Sequence, residues 1–295
     1  MLDPNLLNSQ QFSSIGNIVT TGLRLYLMRF KPYLRMAITA HLWLLIPLYG
    51  WAKFSALSAL LAQLSFHNLV QSPEQFALLQ QQVKKHGWSV FITNLLITVM
   101  VVSVAFIAFI AVAFLLGIIL ALIPRIFSVS VPPLPKSNPT DPFAEPVGLA
   151  IGLGGIFVLL ATAAWVYARY FIAELPLVLE CDYKVMRAIK RCRNLTKGSF
   201  FLSVGIITVV FSLTCPLSYL IASISSRLMI LLLRALQLNF ETRRAIVYAF
   251  LLMLSLFLNA ITMPFWQATK ATLYYSLRSR REGFDLQFRA LGRPL

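Results

Sequence analysis

From Trp88 to Ile123 the chain carries no charged residue and consists mainly of Val, Ile, Leu, Phe and Ala. About 20 such residues cross a hydrocarbon core, and each central Leu, Ile, Phe or Val contributes roughly −0.3 to −0.6 kcal/mol to insertion, so this run is predicted to span. Segments 147–173, 200–223 and 245–267 repeat the pattern and carry a single charge, Arg169. Its cost of about 2.5 to 3.5 kcal/mol falls when the side chain snorkels from a helix end, so these three are predicted to span as well.

The stretch from Met36 to Ala52 is weaker. His41, Pro47 and Gly50 dilute it and Lys53 closes it early. Pro47 with Gly50 breaks a continuous helix, so 36–66 is predicted to be kinked or re-entrant. With that segment re-entrant, four crossings place the basic residues Arg24, Arg29, Lys31 and Arg35, the stretch 67–87, and the later basic blocks on one side. Folding 88–123 into a hairpin gives six crossings, against which stands "VVSVAFIAFIAVAF", a run with no turn residue at its middle. The predicted fold class is all-α: a polytopic helical membrane bundle with four to six crossings plus interfacial amphipathic helices, in one domain spanning 1–295.

Composition supports lipid as the solvent. Of 295 residues, 58% are hydrophobic and 12% charged, too little polar surface to cover a soluble globule. The net charge of +16 could suggest nucleic acid, but the basic residues lie in short blocks between apolar runs. That distribution fits an anionic membrane surface and no nucleic-acid partner. The blocks 174–199 and 268–295 are predicted to be cytoplasmic, as are both termini, and the Pro-rich stretch 124–146 to be an irregular outer loop. The N-terminal "MLDPNLLNSQQFSSIGN" lacks the basic and apolar regions of a cleaved signal peptide. Cys181, Cys192 and Cys215 show no metal or disulfide spacing; the first two are predicted to react with an impermeant thiol reagent only once the membrane is opened.

Within 174–199 the periodicity predicts a helix from about 183 to 197, capped by Asp182 and ended by Gly198. Val185, Ile189, Cys192 and Thr196 fall on one face, and Lys184, Arg187, Lys190, Arg191 and Asn194 spread over the other. Such a helix fits a membrane interface. Candidate contacts for lipid phosphates or a membrane or cytosolic protein partner are Lys184, Arg187, Lys190, Arg191, Arg193, Lys197, Arg278, Arg280 and Arg281. Candidate structural ion pairing involves Arg169, Glu174, Glu180, Glu282 and Asp285. An Arg169–Glu174 pair needs a kink at Pro176, because residues five apart do not share a helix face. Alternatively Glu180 or Glu174 meets Arg278 or Arg281 and staples the tail beneath the bundle. Phe265, Trp266, Tyr274 and Tyr275 have the character of interfacial anchors. Gly148, Gly152 and Gly155 offer a face for close helix packing. Arg227 and Arg234 suggest that 226–240 is an outer interfacial helix or a short buried connector.

Two stretches carry a family resemblance. "LYYSLRSRREGFDLQFR" (273–289) resembles the C-terminal signature of a bacterial integral-membrane family, the membrane domain attached to some glycerophosphoryl diester phosphodiesterases and also found alone. "ARYFIAELPLVLE" (168–180) followed by "RCRNLTKGSF" (191–200) resembles that family's arginine, proline and glutamate helix end and its RSW-x-LTKG-x-F element. Glu180, Leu195 to Gly198 and Glu282 to Asp285 match closely. Cys192 and Arg193 depart from the usual Ser and Trp, and Ser276 stands where an acid is common, which puts roles of those side chains in doubt. The resemblance implies a bacterial plasma (inner) membrane location and the membrane half alone.

The two-part relatives keep their phosphodiesterase chemistry in a separate soluble barrel. His41, His67 and His86 are scattered, without a neighbouring carboxylate pair, and no Walker loop or GxSxG occurs. The expectation is a non-catalytic scaffold or lipid-associated protein without cofactor or metal. The alternative is a transporter or lipid-moving protein with a polar path near Arg169.

Overall fold

The computed structural model describes residues 14–70, 79, 81, 83, 86–126, 144–180, 184–235 and 239–283. Among them the regular structure is entirely helical: α1 (Ile15–Met28), α2 (Phe30–Trp43), α3 (Tyr49–Leu69), α4 (Gly87–Ile126), α5 (Ala144–Tyr170), α6 (Glu174–Leu179), α7 (Val185–Thr196), α8 (Phe200–Ala235) and α9 (Phe240–Glu282). Four stretches are long and apolar enough to cross a membrane, namely Gly87–Leu115, Gly152–Leu179, Phe200–Leu231 and Phe240–Glu282. They overlay the four runs read from hydropathy. Their large side chains, among them Ile107, Phe114, Phe157, Leu220 and Phe257, face outward. Lipid satisfies such a surface and water does not.

The chain forms two compact units, one of residues 95–168 and one of 1–94 with 169–295. In the smaller, a Cβ added at Gly155 would meet Phe109 Cε2 at 2.7 Å, whereas one at Gly152 would meet nothing within 4 Å. The glycine face therefore packs at Gly155 and not at Gly152; Gly148 lies outside the described side chains. Both ends of the predicted irregular stretch 124–146 are helical. Pro124 lies in the last turn of α4, and Pro146 is the third residue of α5, where the backbone N–H has no helical partner to lose. Residues 127–143 lie outside the described part.

In the larger unit α9 is central, packed against α1, α2, α3 and α8. At 1.5 Å per residue, its 43 residues extend about 65 Å, twice a hydrocarbon core. Its two halves differ accordingly. Tyr248, Leu252, Met253 and Phe257 are exposed, while Met263 to Phe265 and Ala271 to Leu277 are buried. Phe265, Tyr274 and Tyr275 are thus core residues and not interfacial anchors, because α1 to α3 wrap this end of the helix. Gly22 permits the approach: a Cβ there would lie 2.9 Å from the Cα of Thr269. Tyr274 meets Phe66 edge-on at 5.4 Å, and Gln267 donates to Ser58 Oγ. Farther along α3, Asn68 donates to the buried Tyr33 hydroxyl at 2.7 Å.

The chain breaks between α2 and α3 at residues 44–48. Tyr49 N donates to Pro47 O at 2.8 Å across Leu48, whose φ is +60° and ψ −71°, a strained γ-turn. Any side chain at Gly50 would run into Trp43 O, 1.8 Å from an ideal Cβ. The tip exposes Leu45, Ile46, Leu48, Tyr49 and Trp51. One other expectation is corrected: residues 226–235 form no separate interfacial helix. They continue α8 unbroken from Phe200, with Pro216 accommodated inside.

Gly50→Ala is expected to lower stability by about 1–3 kcal/mol through steric overlap at the hairpin turn. Leu48→Gly, which relieves the positive φ, is expected to be at least as stable as wild type. Thermal unfolding in detergent, followed by circular dichroism, measures both.

Candidate functional site

The ionisable groups around α6, α7 and the end of α9 separate into a neutral, partly buried set and an exposed basic set. Glu174 opens α6 and is 3% exposed in its side chain; Lys270 Nζ of α9 donates to its Oε1 at 2.6 Å. The ammonium also lies 5.1 Å from the centre of the Phe171 ring. A carboxylate so buried requires a counter-charge, and α9 supplies it. Sequence reasoning offered Arg169 or a distal arginine for this place. Lys270 escaped notice because 96 residues separate it from Glu174.

Glu180 follows α6 and forms the hub of a closed cluster. Its Oε2 accepts from Arg191 Nε at 2.6 Å, while its Oε1 accepts from the Tyr274 hydroxyl and faces Arg278 Nε at 3.5 Å. Glu282 closes the ring: it accepts from Arg278 Nε at 3.2 Å and pairs with Arg191 Nη2. Two carboxylates alternate with two guanidinium groups, so the formal charge cancels and three segments of the chain are joined. Burial alone would lower the Arg191 pKa, but hydrogen bonds and charge from Glu180 and Glu282 outweigh it and hold the guanidinium above its ordinary value. Arg191 is therefore a structural residue at this site. Asp285 lies outside the described residues.

α7 differs in detail from its sequence reading. It starts at Val185 with Lys184 as N-cap, in extended conformation and without a side-chain capping bond, so Asp182 is two residues too early to take that role. Residues 181–183 lie outside the described part. Its buried face is Ala188, Cys192, Leu195 and Thr196, with Val185 and Ile189 only half-buried. Thr196 Oγ1 and Cys192 Sγ approach Arg169 O at 3.1 and 3.2 Å, which fixes the end of α5 against α7. Burial pushes the Cys192 thiol up to about 12. Cys192 is therefore unsuited to report topology by thiol labelling, contrary to the expectation above.

The opposite face of α7 is exposed and basic. Lys184, Arg187, Lys190, Arg193 and Lys197 all reach solvent, with Met186 beside them at 74% exposure. α7 contains no acidic residue. Gly198, at φ +84°, ends the helix, and α8 begins at Phe200. A cavity of about 320 Å³ lies at this junction, lined by Arg169, Arg193, Asn194, Thr196, Lys197, Gly198 and Phe200. Arg280 and Arg281 end α9, and Arg281 Nη2 lies 3.6 Å from the place a Cβ on Gly198 would take. Arg169, a sequence candidate for ion pairing, lines this cavity, and its carbonyl accepts from Thr196 Oγ1. His41 does not join it: its ring bonds Ala37 O at 2.8 Å and stacks edge-on against Phe54.

These features define an all-helical, multi-pass membrane protein. Among the described residues, no group of three or more His, Cys, Asp or Glu side chains could hold a metal ion. Comparison with protein-family models, curated proteins and solved structures finds no match to this chain.

Glu180→Ala leaves two guanidinium groups sharing one carboxylate and is expected to cost about 1–3 kcal/mol, whereas Lys190→Ala is expected to stay within about 0.5 kcal/mol. Chemical denaturation in mixed micelles distinguishes them. Cys192 is expected to resist maleimide between pH 7 and 9 until the protein unfolds. Because an unfolded thiol ionises near ~8.5 and the folded one only near 12, its contribution to stability is intact below ~8.5 and is lost as pH rises above it. Cys192→Ala is expected to flatten that alkaline decline in melting temperature.

Proposed function

We propose that this protein is a non-catalytic, lipid-associated membrane scaffold whose basic surface on α7 meets anionic headgroups. The observation that carries the reading is the acid-free exposed face of α7, with five cations beside the exposed apolar Met186. Each cation near an anionic leaflet contributes about 1 kcal/mol, and an apolar side chain among them suits the headgroup boundary. The positive-inside rule places this face, and both termini, in the cytoplasm. The resemblance of 168–200 and 273–289 to the membrane half of two-part phosphodiesterases supports a bacterial inner membrane location and a chain without a reaction of its own. In this role the Glu180 cluster holds the basic helix against the bundle, and a protein partner would share the same face.

A second reading, lipid movement, is favoured by one feature. Between α8 and α9 a cleft of about 550 Å³ is lined by Thr214, Ser218, Ser255, Asn259 and Thr262, all within stretches apolar enough to span. Polar groups at that depth suit a headgroup path.

Native mass spectrometry from nanodiscs containing phosphatidylcholine and phosphatidylglycerol tests the first reading. Preferential retention of phosphatidylglycerol is expected, and the Arg187→Glu, Lys190→Glu double variant is expected to lose that preference. Equal retention of both lipids by the wild-type protein would count against it. Fast exchange of fluorescent lipid between leaflets of proteoliposomes, slowed by Asn259→Leu, would favour lipid movement instead.

A further inference from the structure

We infer that the tip of the α2–α3 hairpin is a lipid-contact surface, seated among the acyl chains of one leaflet without crossing the membrane. The register between α3 and α9 gives its depth. Gln267 donates to Ser58 Oγ and Tyr274 meets Phe66 edge-on, so the two helices run side by side in the same direction. Continued back to the start of α3, that pairing brings Tyr49 beside Leu258. Leu258 lies inside the apolar run 245–267 and, approached from the Arg278 end, just short of its middle. The tip is therefore level with lipid-facing residues of α9 such as Phe257, and its exposed surface continues theirs.

α2 accompanies α3 in reverse. Asn68 donates to the Tyr33 hydroxyl at the open end of the hairpin, and His41 stacks on Phe54 near the tip. At 1.5 Å per residue the 14 residues of α2 extend about 21 Å, less than the ~30 Å of a hydrocarbon core. Such a hairpin enters and returns on one side, so the re-entrant shape expected from Pro47 and Gly50 becomes an insertion confined to the leaflet nearer the Arg278 end of α9.

The chemistry of the tip suits that place. From Met36 to Ala52 the chain is uncharged, and Leu42, Leu45, Ile46, Leu48, Tyr49 and Trp51 are exposed among the described residues. Irregular backbone in hydrocarbon must satisfy its polar groups internally, whereas a turn in water need not. Here Leu44, Leu45 and Ile46 donate to the carbonyls of His41, Leu42 and Trp43, Tyr49 donates to Pro47 O, and Pro47 has no N–H to leave bare. Leu48 holds its positive φ at a cost in strain, yet its side chain, 64% exposed, gains little of the burial that the bundle gives other leucines. Contact with acyl chains supplies that burial. Lys53, one turn below the tip, keeps its ammonium 5.3 Å from the centre of the Tyr49 ring, which lowers the cost of a cation near the headgroup boundary. This surface binds hydrocarbon and not headgroups, so it goes beyond the basic face of α7 and does not depend on it.

Spin labelling of the full-length protein in proteoliposomes of phosphatidylcholine alone tests the insertion. Cys181 and Cys215 are replaced by alanine, and this parent, labelled in the same way, gives the background from Cys192. Nitroxides are then attached through Leu45→Cys, Leu48→Cys and Arg35→Cys in separate variants. At 45 and 48, collisions with oxygen, which concentrates in lipid, are expected to exceed collisions with a water-soluble nickel chelate by roughly threefold or more, and at 35 the order is expected to reverse. Nickel collisions prevailing at 45 and 48 would overturn the insertion and put the tip in water. Access by neither reagent would overturn it too, since a protein surface, whether a second copy or another segment of the chain, would then cover the tip. The two tip positions flank the strained turn, so a failure to fold at one leaves the other to decide. With no anionic lipid present, the result is separate from any headgroup preference of α7.

Discussion

A carboxylate withdrawn from water must find positive charge nearby, and Glu180 finds two guanidinium groups and a phenol. That constraint organises the larger unit. Arg191 belongs to α7 and Tyr274, Arg278 and Glu282 to α9, so one side chain at the end of α6 ties two other helices together. With 26 Lys and Arg against 10 Asp and Glu, the chain has few acids to spend. Among the described residues Glu174, Glu180 and Glu282 join helices to one another.

The ion cluster also explains why α7 can present its bases without peeling from the bundle. Its buried face is narrow, formed by small or medium side chains, and the hydrophobic contribution of Ala188, Cys192 and Leu195 is modest. Arg191 adds a polar anchor on one edge of that face, and the Thr196 and Cys192 contacts with Arg169 add another at its end. With both edges fixed, repulsion among the exposed cations cannot reorient the helix.

The four spanning helices were legible because insertion is nearly additive along the chain: each apolar residue contributes locally, whatever it later touches. The amphipathic helix near 183–197 was legible for a similar reason, since period alone separates its faces. What misled was the end of α9. Its segment "MPFWQATKATLYYSL" mixes aromatic, hydroxyl and basic residues, the composition of a membrane interface. Burial by α1 to α3 makes it a core, and composition does not distinguish aromatics that anchor at a headgroup from aromatics enclosed by neighbouring helices. The two threonines fit because their hydroxyls bond to their own helix, at Phe265 O and Ala268 O.

By itself, then, the sequence determined that this chain is helical, that lipid surrounds its long apolar segments, and that its charge is overwhelmingly basic; each follows from sums over neighbouring residues. The tertiary structure alone decided which charges meet. Glu174 takes Lys270 across 96 positions and Tyr274 reaches Glu180 across 94, while Arg191 and Arg193, two residues apart, go to opposite surroundings. Partnership at a distance depends on how helices pack, and Coulomb attraction acts through space without regard to chain order.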